Sequence, residues 1–154
     1  HLVFSTLHTN SAVATISRLF DLGLKPYIVA TALEGIIAQR LVRKICEYCR
    51  EAVTPSPTLL ARLGPLFSKS GITAFKGKGC SHCNGSGYKG RAGLYEVLAF
   101  NDQMKHLIAS NATILDITNL ARQIGASTLI EDGRDKVKQG ITTLDELLRV
   151  LGPQ

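Results

Sequence analysis

Two pairs of cysteines constrain this sequence more than any other feature. Cys46 and Cys49 form one CxxC pair, Cys80 and Cys83 form the second, and 30 residues lie between the pairs. A CxxC turn directs two sulfur atoms toward one side of a metal ion, so two such turns complete the tetrahedral shell that zinc prefers. Four thiolates leave no open coordination position. The spacing therefore predicts a structural zinc site, in which His82 could stand in for one cysteine.

Three other interpretations of the cysteines compete with zinc. Two disulfide bonds would suit an exported protein. A secretory signal has a basic segment followed by a long apolar run, and the start of this sequence has neither. A thioredoxin-like redox pair needs one CxxC at the start of a helix and leaves the other pair unexplained. Four unrelated buried cysteines would account poorly for the regular spacing.

The positive charge of the sequence is concentrated around the cysteines. The chain has 18 Lys and Arg against 12 Asp and Glu, a formal charge of +6. Residues 40–91 hold ten of these basic residues and only two acids, whereas the rest of the chain has a net charge of −2. This segment is either a solvated surface or the surroundings of a negatively charged site. Four thiolates around Zn²⁺ would supply such charge and would account for part of the clustering.

The first 40 residues predict part of an α/β layer. Hydrophobic residues make up 45% of the chain, which indicates a folded core, and no apolar run approaches the length of about 18 residues that a membrane span needs. Residues 2–7 predict a buried strand of a parallel sheet, leading into a helix capped by Asn10 or Ser11. Pro26 is expected to begin a second, well-buried helix that continues through Ile36 and Ile37.

The pattern changes twice along the rest of the chain. Residues 41–99 are rich in glycine and proline and predict short strands and tight turns, with a short helix at residues 58–63 and a strand at residues 94–100. From residue 101 onward the pattern is helical. The expected helix starts are an N-cap at Asn101, Thr113 three residues before Asp116, and capping boxes at Thr128–Glu131 and Thr143–Glu146.

Two further features bear on ligand binding. Residues 85–90 match GxGxxG, but no helix pattern follows, so they predict turns rather than a dinucleotide site. His8 lies at the predicted end of the first strand, at the sheet edge where ligands of α/β proteins bind. It could contact a phosphate there or serve only in capping or packing. The 154 residues contain no GxxxxGK[ST] phosphate loop.

Several stretches of the sequence resemble the secretion-superfamily ATPases, the motors of type II secretion and of type IV pilus extension. Residues 1–10 are similar to the histidine box of that family. Residues 38–49 and 79–96 are similar to the family's tetracysteine segment and the strand after it, and pilus retraction motors lack this segment. Residues 131–133 and 140–146 are similar to the family's C-terminal helices. The resemblance runs nearly from end to end.

The resemblance implies a fold and a division of the chain. Residues 1–40 would be the C-terminal end of a RecA-like P-loop ATPase core, residues 41–99 a zinc subdomain with the strand that follows it, and residues 100–154 a helical C-terminal subdomain. His8 would be the histidine-box residue facing the γ-phosphate of ATP. Cys46, Cys49, Cys80 and Cys83 would hold a structural zinc.

The resemblance also implies a function. The parent protein would be a homo-hexameric, Mg²⁺-dependent ATPase on the cytoplasmic face of the inner membrane, and ATP hydrolysis would drive pseudopilin or pilin assembly through a membrane platform protein. The sequence begins on an apolar run without Met, and the family's phosphate loop and Walker B carboxylate precede the histidine box. We therefore expect a piece of a longer protein, inactive by itself. Arg40, Arg43 and Arg91 are candidates for contacts with the nucleotide or a neighbouring subunit.

Two alternatives come from other functional classes. A zinc-containing nucleic-acid-binding module would use the basic segment, but the four aromatic residues there make a thin platform for stacking bases, so no nucleic acid partner is expected. A chaperone-type zinc knuckle would fit the CxxCxGxG pattern of residues 80–87. That class repeats its knuckle several times, and here it occurs once.

Overall fold

The computed structural model describes residues 1–68 and 72–153, and it is a mixed α/β structure, as predicted, whose sheets are small. Lys69, one of the basic residues of the 40–91 segment, lies outside the described residues. In chain order the elements are α1 (Ala12–Asp21), α2 (Pro26–Ala32), β1 (Gly35–Ile45), β2 (Arg50–Val53), α3 (Pro57–Arg62), α4 (Pro65–Ser68), β3 (Ala74–Gly77), β4 (Tyr88–Ala99), α5 (Asp102–Ala109), α6 (Ile114–Gln123), α7 (Leu129–Lys138) and α8 (Leu144–Leu151). Strand β1 pairs with β4, and β2 pairs with β3.

The chain divides into two units, each made of two separate stretches. Unit 1 comprises His1–Ala38 and Tyr95–Thr128, and unit 2 comprises Gln39–Leu94 and Leu129–Gln154. Two of the boundaries between the units fall within strands β1 and β4. Each unit therefore contains residues that are distant in the sequence. The expected segments 1–40, 41–99 and 100–154 are consecutive stretches that the family resemblance implies, and they do not coincide with these two units. That division into three segments stays a prediction.

The start of unit 1 differs from the expected strand. Residues 1–9 have no regular secondary structure, and Phe4 is 89% exposed. A buried strand needs a neighbour for its backbone groups. The strands in residues 1–68 and 72–153 pair as β1 with β4 and β2 with β3, and neither pair offers a partner to residues 2–7. The prediction of a strand at residues 2–7 is therefore wrong for this structure.

The second helix is shorter and less buried than predicted. Pro26 begins α2 as expected, but the helix ends at Ala32, and Ile36 and Ile37 belong to β1. Adjacent β-branched residues favour an extended chain. Pairing of β1 with β4 satisfies the backbone there, and the N–H of Phe100 donates to the carbonyl of Glu34 at 3.0 Å. Within α2, Val29 and Ala30 are buried, but Tyr27 is 58% exposed, so the helix is only partly buried.

The helices of unit 1 begin largely at the predicted caps. The side chains of Ser11 and Asn101 accept from backbone N–H groups at the starts of α1 and α5, and Thr113 and Asp116 form a capping box at α6. Strand β4 contributes a further cap, because the buried Glu96 carboxylate accepts from the N–H of Ala12 at 2.7 Å. A carboxylate at the start of a helix also interacts favourably with the helix dipole. Glu96 lies 84 residues from Ala12, so no local sequence pattern marks it as a capping residue.

Unit 2 contains both CxxC turns and the last two helices. Strands β2 and β3 are antiparallel, with Arg50 opposite Gly77 and Val53 opposite Ala74. Helix α3 packs against α8, and α7 packs against β3. The predicted short helix and the predicted strand at residues 94–100 are confirmed as α3 and as part of β4.

One predicted capping box in unit 2 is wrong. Thr143 caps α8 by accepting from the N–H of Glu146 at 3.0 Å, but the Glu146 side chain does not return the bond. Its carboxylate is instead bound by Arg43 and Arg149. The capping box at Thr128–Glu131 stays a prediction.

Candidate metal centre

The four cysteine sulfurs converge in unit 2. All four Sγ atoms lie within 4.8 Å of one another. Cys46 and Cys80 are 3.8 Å apart, Cys49 and Cys83 are 3.9 Å apart, and Cys80 and Cys83 are 3.7 Å apart. A tetrahedron with Zn–S bonds of about 2.3 Å has edges of about 3.8 Å. These sulfurs could therefore hold one metal ion, and their spacing fits zinc.

The local backbone explains how each CxxC pair directs both sulfurs inward. The residues Glu47–Cys49 and Ser81–Cys83 form short 3-10 turns, in which the second cysteine donates its N–H to the carbonyl of the first. The first turn follows β1 and the second follows β3. Neither pair begins an α-helix, so the thioredoxin-like interpretation does not apply.

The sulfur separations also exclude disulfides. A disulfide bond brings two sulfurs to about 2.05 Å, whereas the Sγ separations here are 3.7 to 3.9 Å. All four cysteines are free thiols. The disulfide interpretation is therefore wrong.

Backbone N–H groups donate hydrogen bonds to two of the four sulfur atoms. The N–H of Gly79 donates to Cys49 Sγ at 3.3 Å, and those of Cys80 and Gly87 donate to Cys83 Sγ at 3.3 and 3.2 Å. Burial raises the pKa of Cys83, but these donors and the neighbouring Cys80 and Cys49 thiols together outweigh burial and lower that pKa to about 6. For Cys49, burial dominates and raises the pKa to about 12. The Cys49 thiol therefore keeps its proton at neutral pH until a cation binds, and metal binding there must release that proton.

Two glycines bring the cysteine turns together. A Cβ atom on Gly87 would lie 2.5 Å from the carbonyl oxygen of Gly77, and one on Gly77 would overlap the Gly87 carbonyl. This close approach lets the N–H of Cys46 donate to the Gly87 carbonyl at 2.9 Å. Gly85 and Gly87 have φ of 76° and 75°, and a strand follows them. The first half of the GxGxxG match is thus a turn, as predicted, whereas residues 88–90 begin strand β4.

His82 is not one of the four groups that could hold the metal. Its exposed ring stacks on Tyr48, with centroids 3.9 Å apart and planes inclined by 14°. Four sulfurs complete the shell without it.

The other predicted site residues are placed as follows. His8 is exposed and lies within residues 1–9, which have no regular secondary structure. Arg91 is exposed on β4, and Arg40 lies on β1 with Nη1 donating to the carbonyl of Gln39 at 3.3 Å. The Arg43 guanidinium binds Glu146 and lies 4.1 Å above the Tyr88 ring. The roles assigned to His8 and these arginines stay predictions.

Glu146 is the main residue of unit 2 that the sequence analysis misinterpreted. Its side chain is fully buried and accepts five hydrogen bonds, three from Arg43 and two from Arg149, at 2.6 to 2.9 Å. Burial raises its pKa, but the two guanidinium groups outweigh burial and lower the pKa to about 2. Beside it, the Tyr88 and Thr143 hydroxyls are 2.8 Å apart. The carboxylate thus joins β1 to α8.

Replacing Glu146 by glutamine is expected to destabilise unit 2 in a pH-dependent way. The folded-state pKa of about 2 is below its ordinary 4.5, so the carboxylate stabilises the fold above about pH 4.5 and loses this effect as the pH falls toward 2. The shift corresponds to about 3 kcal/mol. Urea unfolding should show that deficit for Glu146→Gln at pH 7, narrowing toward pH 3. Glu47→Gln, which alters a 79% exposed carboxylate, should differ from wild type by less than about 0.5 kcal/mol. A difference independent of pH would contradict the assignment.

Comparison with known proteins relates the sequence of this chain to one family. The family model described as Type II/IV secretion system protein matches residues 1–149. The chain is 45% identical over 149 residues to the type IV pilus assembly ATPase PilB of Thermus thermophilus, and 42% identical over 150 residues to the type II secretion system protein E of Pseudomonas aeruginosa. It is 40% identical over 152 residues to the type II secretion system ATPase E of Vibrio cholerae.

These matches cover nearly all of this chain but little of the relatives. They span 96%, 97% and 97% of the chain, and 17%, 30% and 29% of the three relatives respectively. The chain therefore spans less than a third of the length of these curated relatives. In the part of the chain that the structure describes, no helix is both long enough and apolar enough to cross a lipid bilayer.

Proposed function

Because the chain belongs to the type II/IV secretion system protein family, we propose that it is the C-terminal part of a hexameric ATPase motor. The motor drives pilus extension or the assembly of a secretion pseudopilus. The observation that carries the proposal is the identity of 40 to 45% along nearly the whole chain to relatives named as secretion or pilus assembly proteins. The tetracysteine cluster within that alignment supports assignment to the assembly motors.

In this proposal the work is divided between this chain and the rest of the parent. The phosphate loop that binds ATP and Mg²⁺ belongs to the remainder of the parent, and residues 1–40 are the end of its RecA-like core. His8 faces the γ-phosphate from the histidine box, and Arg40, Arg43 and Arg91 are candidates for contacts with nucleotide or a neighbouring subunit. The parent acts at the cytoplasmic face of the inner membrane, with a membrane platform protein as its partner.

Residues 41–99 are the zinc subdomain of this proposal. Cys46, Cys49, Cys80 and Cys83 hold the metal, and their spacing and backbone donors support a closed four-sulfur shell. A bound zinc would act as a structural cross-link with no open coordination position. Within the chain, the cysteines connect the end of β1 to the end of β3, and residues 100–154 form the helical C-terminal subdomain.

The proposal predicts a metal-containing chain that does not turn over ATP. Purified protein should contain about one zinc per chain by elemental analysis. It should hydrolyse ATP no faster than a buffer blank, because these 154 residues contain no phosphate loop. ATP hydrolysis clearly above that blank, reproduced with two independent preparations, would contradict the proposal that the phosphate loop belongs to the rest of the parent.

The choice between pilus and secretion requires the parent in its own cell. Deleting the parent gene should abolish either surface pili or the release of secreted enzymes, and restoring the full-length gene should recover the same function. Hydrolysis of ATP by the purified full-length parent, dependent on Mg²⁺, tests the motor activity directly. A deletion strain normal in both assays would overturn the proposal.

A further inference from the structure

The two CxxC turns carry aromatic rings at equivalent positions. Tyr48 immediately precedes the second cysteine of the first turn, and His82 immediately precedes the second cysteine of the second turn. Their rings stack in parallel, with centroids 3.9 Å apart. The cysteines that follow them, Cys49 and Cys83, have sulfurs 3.9 Å apart. The ring pair thus bridges the two turns beside one edge of the sulfur cluster.

Burial in a core does not explain this contact. Tyr48 is 68% exposed and His82 is also exposed, so both rings meet at the surface. Stacked aromatic pairs nevertheless stabilise proteins by the equivalent of about 2- to 12-fold in an equilibrium constant beyond the area they bury. The Lys89 ammonium also lies over the Tyr48 ring, with its Nζ 6.0 Å from the centroid.

The position of the ring pair matters because each turn supplies two of the four sulfurs. The two turns hold the ion from two sides, so any motion that separates the turns breaks metal–sulfur bonds. Backbone bonds already join the turns: the N–H of Cys46 donates to Gly87, and the N–H of Lys78 donates to Cys49, both at 2.9 Å. The stacked rings add a side-chain contact that must also break.

We propose that Tyr48 and His82 form an aromatic clasp that holds the two CxxC turns together and slows the release of zinc. They are positioning residues and not ligands. The inference rests on the proposed zinc site, and it assigns to both side chains a function in metal retention that is separate from coordination.

The test measures the rate at which zinc passes from the loaded chain to an excess of the colorimetric chelator pyridylazoresorcinol. Tyr48→Ala and His82→Ala should each release zinc about 3- to 10-fold faster than wild type, at unchanged initial zinc content. The double variant should be no faster than the faster single variant, because either substitution already removes the stack. Tyr48→Phe, which keeps the ring, should stay within about twofold of wild type.

Tyr27→Ala is the matched control, because it removes a tyrosine of similar exposure, 58%, on α2 of unit 1. It should release zinc at the wild-type rate. If Tyr48→Ala does not fold, Tyr48→Leu keeps apolar bulk without a ring and should still accelerate release.

The outcomes separate the clasp from the metal site. Wild-type chains without zinc would overturn the zinc proposal and the clasp with it. Wild-type chains with zinc, but single variants that release it at the wild-type rate, would overturn the clasp alone. Single-variant effects that multiply in the double variant would also overturn it, because independent residues behave in that way.

Discussion

Replacing Cys80 and Cys83 together by serine is expected to abolish zinc binding and to unfold most of unit 2. Two of the four sulfurs that lie within 4.8 Å of one another would be lost. Structural zinc contributes on the order of 10 kcal/mol of apparent binding free energy in small zinc modules, which equals the whole stability of many domains. Elemental analysis should find no zinc, and circular dichroism should show loss of the cooperative thermal transition of unit 2.

A matched control lies in the same turn. Ser81 is exposed, and it lies between the two substituted cysteines in the sequence. Ser81→Ala should keep about one zinc and melt like wild type. Treating wild type with a strong chelator should reproduce the effect of the double cysteine variant. A melting curve unchanged by the two serines would show that the cluster does not stabilise unit 2.

Replacing Gly77 by alanine is the substitution with the second-largest expected effect. The new Cβ would overlap the backbone of Gly87, and its neighbours there are the carbonyl oxygen, the carbonyl carbon and Cα. Backbone atoms cannot rotate aside as a flexible side chain can, so β3 and the second cysteine turn would have to separate. We expect a loss of about 3 kcal/mol or more in urea unfolding, together with weaker zinc retention.

Gly85→Ala separates this overlap from ordinary glycine effects. Gly85 lies in the same turn with φ of 76°, but a Cβ there meets nothing within 4 Å. Only the cost of the left-handed conformation applies, which is about 1 kcal/mol. Zinc content should remain near one per chain. Equal destabilisation by Gly77→Ala and Gly85→Ala would refute the role of the close backbone approach.

The helix starts and the cysteine cluster show what a local pattern can predict. Ser11, Asn101 and Thr113 cap helices as expected because capping involves residues within three positions of each other. The four cysteines converge as expected, because each CxxC turn directs two sulfurs to one side and a tetrahedral metal shell needs four. Both kinds of prediction depend on short-range chemistry.

The failures involve partners that are distant in sequence. Ile36 and Ile37 fit a helical pattern, yet pairing with β4 makes them part of a strand. Residues 2–7 fit a strand pattern, yet no strand in the described residues pairs with them. Glu146 fits a capping box, but Arg43, 103 residues earlier, provides better partners for its carboxylate.

The sequence by its local patterns indicated the cluster of four cysteines, the position of the basic segment and most of the helix starts, because each depends on residue types at short, regular spacings. The contact of Glu146 with Arg43, the close approach of Gly77 and Gly87 and the stacking of Tyr48 on His82 depend on tertiary packing. Each of these joins segments more than nine residues apart. Their distances depend on how the whole of unit 2 packs, and no local pattern of residue types encodes them.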